Sequence, residues 1–131
     1  MLRLPLALLP AAKEISISLS EKEIHPGQEI QGIVTLNYVG RFDSVVINSQ
    51  IERTSDIFTY VALNGKKINY PYARLYILRA DLGDRKSIEF TAKTQHVPLE
   101  GNSSNAKFRA SIIQEHKEVS SDISFVKLLA S

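Results

Sequence analysis

The side chains best suited to chemistry in this sequence are gathered in one short stretch. Lys66, Lys67, Tyr70, Tyr72, Arg74, Tyr76 and Arg79 interleave basic groups with aromatic ones. Tyrosine offers a large amphipathic contact area and arginine a planar, forked set of donors, a combination that protein interfaces enrich. The chemistry such a stretch supports is recognition of an acidic or phosphorylated protein surface, with no bond made or broken. An ordinary hairpin accounts for the same residues if its tyrosines cover a core and its basic groups are solvated. In that case replacing Tyr72 or Tyr76 lowers stability and leaves partner capture intact.

Residue patterns for catalysis are missing. The chain has no GxSxG, HExxH, phosphate-loop or GxGxxG pattern. His25, His96 and His116 stand isolated from one another and from any acidic cluster with ligand spacing, so they read as turn and loop histidines. Asp81, Asp84 and Glu89 do not follow the alternate-position acids and closing glutamate of a calcium loop, and they read as loop caps. With no cysteine there are no disulfides, thiolate metal sites or cysteine nucleophiles. The expectation is a non-enzyme without catalytic residues, cofactor or metal. Asn102-Ser103-Ser104 matches the N-glycosylation acceptor pattern and is read first as a polar loop.

Charge separates along the chain more than in total. Sixteen basic and fourteen acidic residues give +2, too weak a field to imply nucleic acid as partner. Residues 1–63 hold 5 basic and 7 acidic side chains, residues 64–93 hold 7 and 3, and residues 94–131 hold 4 and 4. The basic part therefore coincides with the tyrosine-rich part.

The elements that must position this stretch are strands. Ile15, Ile17 and Leu19 alternate with serines, as a half-buried strand requires. His25-Pro26-Gly27 is turn chemistry, after which Ile30, Gly32, Val34, Leu36 and Tyr38 share one parity. Gly32 replaces a side chain where a backbone or bulky neighbour comes close. Val45, Ile47 and Ile51 oppose Val46, Asn48 and Gln50 in a third strand. Ile57–Leu63 and Ile68–Leu78 flank Asn64-Gly65, a strong hairpin signal, with Pro71 placing the second segment at a sheet edge. A loop from Asp81 to Lys86 precedes Ile88, Phe90 and Ala92, which share a face. Pro98–Asn105 reads as a polar connection, Phe108, Ala110 and Ile112 as the next inward face, and Ser120 to about Leu129 as the last strand. Some eight strands without a helical period imply an all-β fold, a two-sheet immunoglobulin-like sandwich of about 7–8 antiparallel strands. Ile15, Ile17, Ile30, Val34, Leu36, Val45, Ile47, Phe90, Phe108 and Ile112 are its expected core.

With 131 residues, one core is expected. The expected division is an extended N-terminal segment, 1–12, and a single sandwich domain, 13–131. Residues 1–12, MLRLPLALLPAA, imitate a signal peptide, but the apolar run is short and interrupted by Pro5.

The run Ile24-His25-Pro26-Gly27-Gln28-Glu29-Ile30-Gln31-Gly32-Ile33-Val34-Thr35-Leu36 resembles the opening of an arrestin-type domain. Later segments are similar too: Ile88–Ala92 leading to Val97-Pro98, a serine-rich gap at Ser103-Ser104, then Phe108–Ile113 and Ile123–Leu128. The likeness covers about residues 13 to 129. Arrestins and their relatives carry two such sandwiches and this chain has room for one, so no hinge or inter-domain core carries over. The resemblance implies a non-catalytic, cytoplasmic adaptor or scaffold that binds other proteins, often near a membrane, in trafficking or signalling complexes. An exposed strand edge further allows a homodimer by edge pairing. The alternative is a secreted or surface-attached structural domain of the cell envelope, for which residues 1–12 and Asn102 speak.

Overall fold

A computed structural model describes residues 13–99 and 102–130. The expected extended segment 1–12 lies outside the described residues. Ten strands follow in order: β1 (Ile15–Leu19), β2 (Glu23–Ile24), β3 (Ile30–Leu36), β4 (Ser44–Ile51), β5 (Thr59–Leu63), β6 (Lys66–Tyr70), β7 (Arg74–Leu78), β8 (Ser87–Lys93), β9 (Ser103–Gln114) and β10 (Lys117–Leu129). One helical turn, α1 (Arg79–Leu82), separates β7 from β8. They form two five-stranded sheets with the orders β1-β3-β8-β5-β6 and β2-β10-β9-β4-β7. The fold is a two-sheet β-sandwich, antiparallel except where the two residues of β2 run parallel to the end of β10.

The core follows from period-two alternation. In β3 the inward residues Ile30, Gly32, Val34 and Leu36 alternate with Gln31, Ile33 and Thr35. All ten expected core residues are buried, joined by Ile24, Ile51, Phe58, Tyr60, Ala106, Val126 and Leu128 among others. Aromatic rings fill the centre. Phe108 meets Phe58 with ring centroids 4.8 Å apart, Phe90 at 5.4 Å and Tyr60 at 6.4 Å.

Gly32 sits directly opposite Phe90 in the β3–β8 register. A Cβ there would overlap the Phe90 ring, so the glycine admits the aromatic side chain as the strand pattern suggested. Asn64 and Gly65 take φ of 49° and 82° and close the β5–β6 hairpin, as a two-residue primed turn requires.

The structure departs from the sequence reading at several boundaries. The segment Ile68–Leu78 is two strands in different sheets, because Pro71 has no N–H to continue a ladder and the chain crosses between sheets over residues 71–73. Pro71 stands one residue beyond edge strand β6, outside any pairing. Ser103–Asn105, expected in a connection, pair with Leu129–Lys127 as the start of β9. The last strand begins at Lys117, because Glu115 and His116 both adopt positive φ, 51° and 66°, and make a hairpin turn without glycine. β2 lies within the supposed Glu21–Gly27 turn, and α1 opens the supposed Asp81–Lys86 loop. Val46, on the outward parity, is buried opposite Tyr76 and Ser111.

Both sandwich flanks can be placed. β1 lies against β10: the Ile17 N–H donates to Asp122 Oδ2 at 2.9 Å, and Ser124 Oγ donates to the Ile17 carbonyl at 2.6 Å. The edges β6 and β7 therefore share the opposite flank, linked by three residues.

Candidate functional site

The fold places six of the seven expected residues along the β6–β7 flank, in three groups, and Arg79 at the end of the sandwich. Lys66 and Lys67 are exposed at the start of β6. Tyr70 and Tyr72 stand at the crossover, ring centroids 5.0 Å apart, with Tyr70 packed on the core and Tyr72 exposed. Arg74 and Tyr76 alternate outward along β7 while Leu75 and Ile77 point inward, and the Arg74 guanidinium lies 5.8 Å from the centre of the Tyr76 ring. Side chains two apart on a strand share a face, so this cation–π contact is local strand geometry. Arg79 belongs to the end of the sandwich: its guanidinium bonds the Gly83 carbonyl and lies 5.1 Å over Phe42. These contacts tie its guanidinium to the C-terminal end of α1 and to Phe42.

Tyr60, unlike the exposed tyrosines of this stretch, belongs to the core. It is fully buried, its hydroxyl within 3.0 Å of the Ala73 carbonyl and 3.2 Å of the Ile47 carbonyl. Burial pushes its phenol far above the usual range, against the lowering influence of Ser49. Tyr60 thus pins the crossover from the inside, whereas Tyr72 and Tyr76 remain 62% and 56% exposed.

Residues 64–79 carry Lys66, Lys67, Arg74 and Arg79 and no acidic side chain. The ion pairs among the described residues are Lys13–Asp122, His96–Asp56 and Arg109–Glu118, so none neutralises this flank. The Arg109 guanidinium, and next the Ser111 hydroxyl, hold Glu118 below the usual carboxylate range despite some desolvation.

Sequence reasoning missed further surface residues beside this flank. On the outer face of the β2-β10-β9-β4-β7 sheet, Leu78 follows Tyr76, and Phe125 stands 68% exposed opposite Lys107. A shallow cavity of about 360 Å³ is lined there by Gln50, Glu52, Asn105, Ala106, Lys107 and Phe125. The available signal was β10 itself, where Ile123 and Phe125 occupy the parity opposite Val126 and Leu128. His96, expected as a solvent-facing loop histidine, instead places Nδ1 2.7 Å from Asp56 Oδ2 and ties two loops together. Among the described residues no three His, Cys, Asp or Glu side chains are grouped to hold a metal.

No protein-family model and no curated protein matches the sequence. Solved structures similar to it include the CFA/I adhesin CfaE of enterotoxigenic E. coli, with a TM-score of 0.57 at 11% identity over 90% of this chain and 48% of the adhesin. A human F-spondin reeler domain gives 0.54 at 12% identity, covering 91% of this chain and 93% of that domain. A conjugative transposon lipoprotein of Bacteroides eggerthii gives 0.50 at 11% identity, covering 89% and 98% respectively. At this level of identity the likeness is one of fold: all are β-sandwich domains.

Proposed function

We propose that this chain is a non-enzymatic, arrestin-like β-sandwich that serves as an adaptor or scaffold module and binds an acidic protein partner through the flank running from Lys66 to Arg74. The observation that carries the reading is the conjunction of Lys66, Lys67 and Arg74, without an acidic residue between them, with the exposed Tyr72 and Tyr76. Cations on a rim steer an acidic surface toward the site, and exposed aromatics supply area once contact is made. A phosphorylated segment presents the same charge more densely.

The test uses immobilised poly-glutamate as an acidic probe. A variant carrying Lys66→Glu, Lys67→Glu and Arg74→Glu is compared with one carrying Lys22→Glu, Lys86→Glu and Lys117→Glu, three exposed positions away from this flank and its outer face, which has the same net charge. The first variant is expected to elute at much lower salt than the second. Equal elution of the two would remove the flank from the reading and leave only a general charge effect.

A second reading has specific support: a lipoprotein and an adhesin stand among the similar structures. It makes this chain a surface-attached structural domain of the cell envelope rather than a cytoplasmic adaptor. No helix among the described residues is long and apolar enough to cross a membrane, so attachment would run through another feature. Mass spectrometry of the natural protein separates the readings: processing before Lys13 or a glycan on Asn102 supports the second, and an intact, unmodified chain supports the first.

A further inference from the structure

Open sheet edges invite pairing with another chain, and folded proteins usually blunt them. Three of the four edges here are blunted. The N–H and carbonyl of Ile17, midway along β1, meet the side chains of Asp122 and Ser124. Strand β2 is two residues long. Strand β6 begins with Lys66 and Lys67 and is followed at once by Pro71.

Apart from Arg74 at its start, strand β7 has none of these devices. Its sequence, Arg-Leu-Tyr-Ile-Leu, is regular and rich in strand formers, and among the described residues no strand lies beyond it. Its hydrogen bonds reveal which groups are open. Ser49 N–H donates to the Ala73 carbonyl at 3.0 Å and Arg79 N–H to the Asp43 carbonyl at 2.9 Å. Backbone direction alternates along an antiparallel pair, so Leu75 and Ile77 turn their groups toward β4, while Arg74, Tyr76 and Leu78 turn theirs away from it. The same three residues present their side chains on the outer face.

We infer that β7 receives an extended segment of an acidic protein partner as a sixth strand of its sheet, bonded to the main chain of Arg74, Tyr76 and Leu78. This inference rests on the proposed basic binding flank and adds its mode of recognition. Charge decides between a foreign strand and a second copy of this chain. Pairing β7 with itself would bring two flanks of Lys66, Lys67 and Arg74 together without an acidic residue from 64–79 on either side. An acidic strand meets the same cations with opposite charge.

The experiment selects a displayed library of random twelve-residue peptides on the intact chain. Enriched peptides are expected to carry acidic residues at alternate positions. The Tyr76→Pro variant deletes an N–H that faces away from β4 and spares the β4 ladder, whereas Tyr76→Thr removes the ring and keeps that N–H. Binding is expected to fall about tenfold or more with proline relative to threonine, because main-chain bonds carry the affinity in strand addition. A second measurement leaves the protein unaltered: N-methylation of the peptide at positions of one parity should abolish binding, and at the other parity should be tolerated.

Insensitivity to the parity of methylation, or equal binding by the two Tyr76 variants, overturns strand addition. If the glutamate triple variant alone loses binding, the basic-flank reading stands and strand addition falls. If proline abolishes binding and charge reversal does not, the acidic partner falls together with the basic-flank reading. A dimer of the unliganded chain that Tyr76→Pro dissolves would make a second copy the occupant and refute the inference.

Discussion

Gly32 and Phe90 form a matched pair, one residue giving up its side chain so that the other can lie across the backbone. Adding a methyl group by Gly32→Ala drives a Cβ into a buried ring, and overpacking of this kind costs about 1–3 kcal/mol. Shrinking the ring relieves the clash, so Gly32→Ala combined with Phe90→Leu is expected to lose less stability than the two single changes summed. Denaturant titration of the four proteins checks this, and strict additivity would mean that the two sites do not share the space. Tyr60 makes a related argument with a hydroxyl. Tyr60→Phe keeps the packing against Phe90 and Phe108 but removes the hydroxyl that bonds the Ala73 and Ile47 carbonyls, a loss of about 1 kcal/mol. Binding by Tyr72 and Tyr76 is expected to survive that change.

Strands β1 and β10 are joined by side chains where a ladder would otherwise run, and this makes their seam sensitive to acid. Desolvation raises the Asp122 pKa, but the Ile17 N–H and the Lys13 ammonium outweigh it and hold the carboxyl below its usual range. A carboxyl depressed in the folded state stabilises above its unfolded pKa, about 4, and that contribution disappears as pH falls through the folded value. Thermal melts from pH 7 down to pH 2 are therefore expected to show Asp122→Asn less stable than the parent at neutral pH, the two converging in acid. Parallel curves across the range would show that the seam does not depend on the charge. None of this was legible in the sequence, because Lys13 and Asp122 are separated by more than a hundred residues and only folding makes them neighbours. Alternation did reveal strands β1, β3 and β8 and their inward residues, since one buried face imprints a period of two. It failed where chemistry at the turn was unusual. The hairpin at Glu115-His116 has no glycine to mark its turn, and the sheet change at Pro71 sits between two runs of strand-forming residues that read as one segment. The site was legible as composition, basic groups among tyrosines, but its division between core and surface was not. Tyr60, Tyr70 and Tyr76 look alike in sequence and differ only in the face each strand turns inward.

The whole sandwich has two outer faces, and their difference predicts how far a partner reaches. Along the sheet containing β3 and β8, outward residues such as Gln31, Thr35, Glu89, Thr91 and Lys93 are mainly polar or charged. The face beyond β7 instead carries Tyr76, Leu78 and Phe125 with Arg74 and Lys107. A single added strand contacts little surface, whereas a stable complex between two folded proteins typically buries about 800 Å² on each partner. A whole partner protein seated at β7 must also cover a face, and this second one combines exposed aromatics with positive charge. Phe125 lies on β10, three strands from β7, so it reports on that coverage without touching the edge. Replacing it by serine removes a ring that is 68% exposed, and the melting temperature should hardly move. Affinity for a whole partner is expected to fall by about tenfold, since buried aromatic anchors dominate interface energetics. Affinity for a peptide paired only with β7 is expected to stay unchanged. Titration calorimetry on both ligands distinguishes the cases, and a whole partner that binds Phe125→Ser as tightly as the parent would confine the interface to the β6–β7 flank.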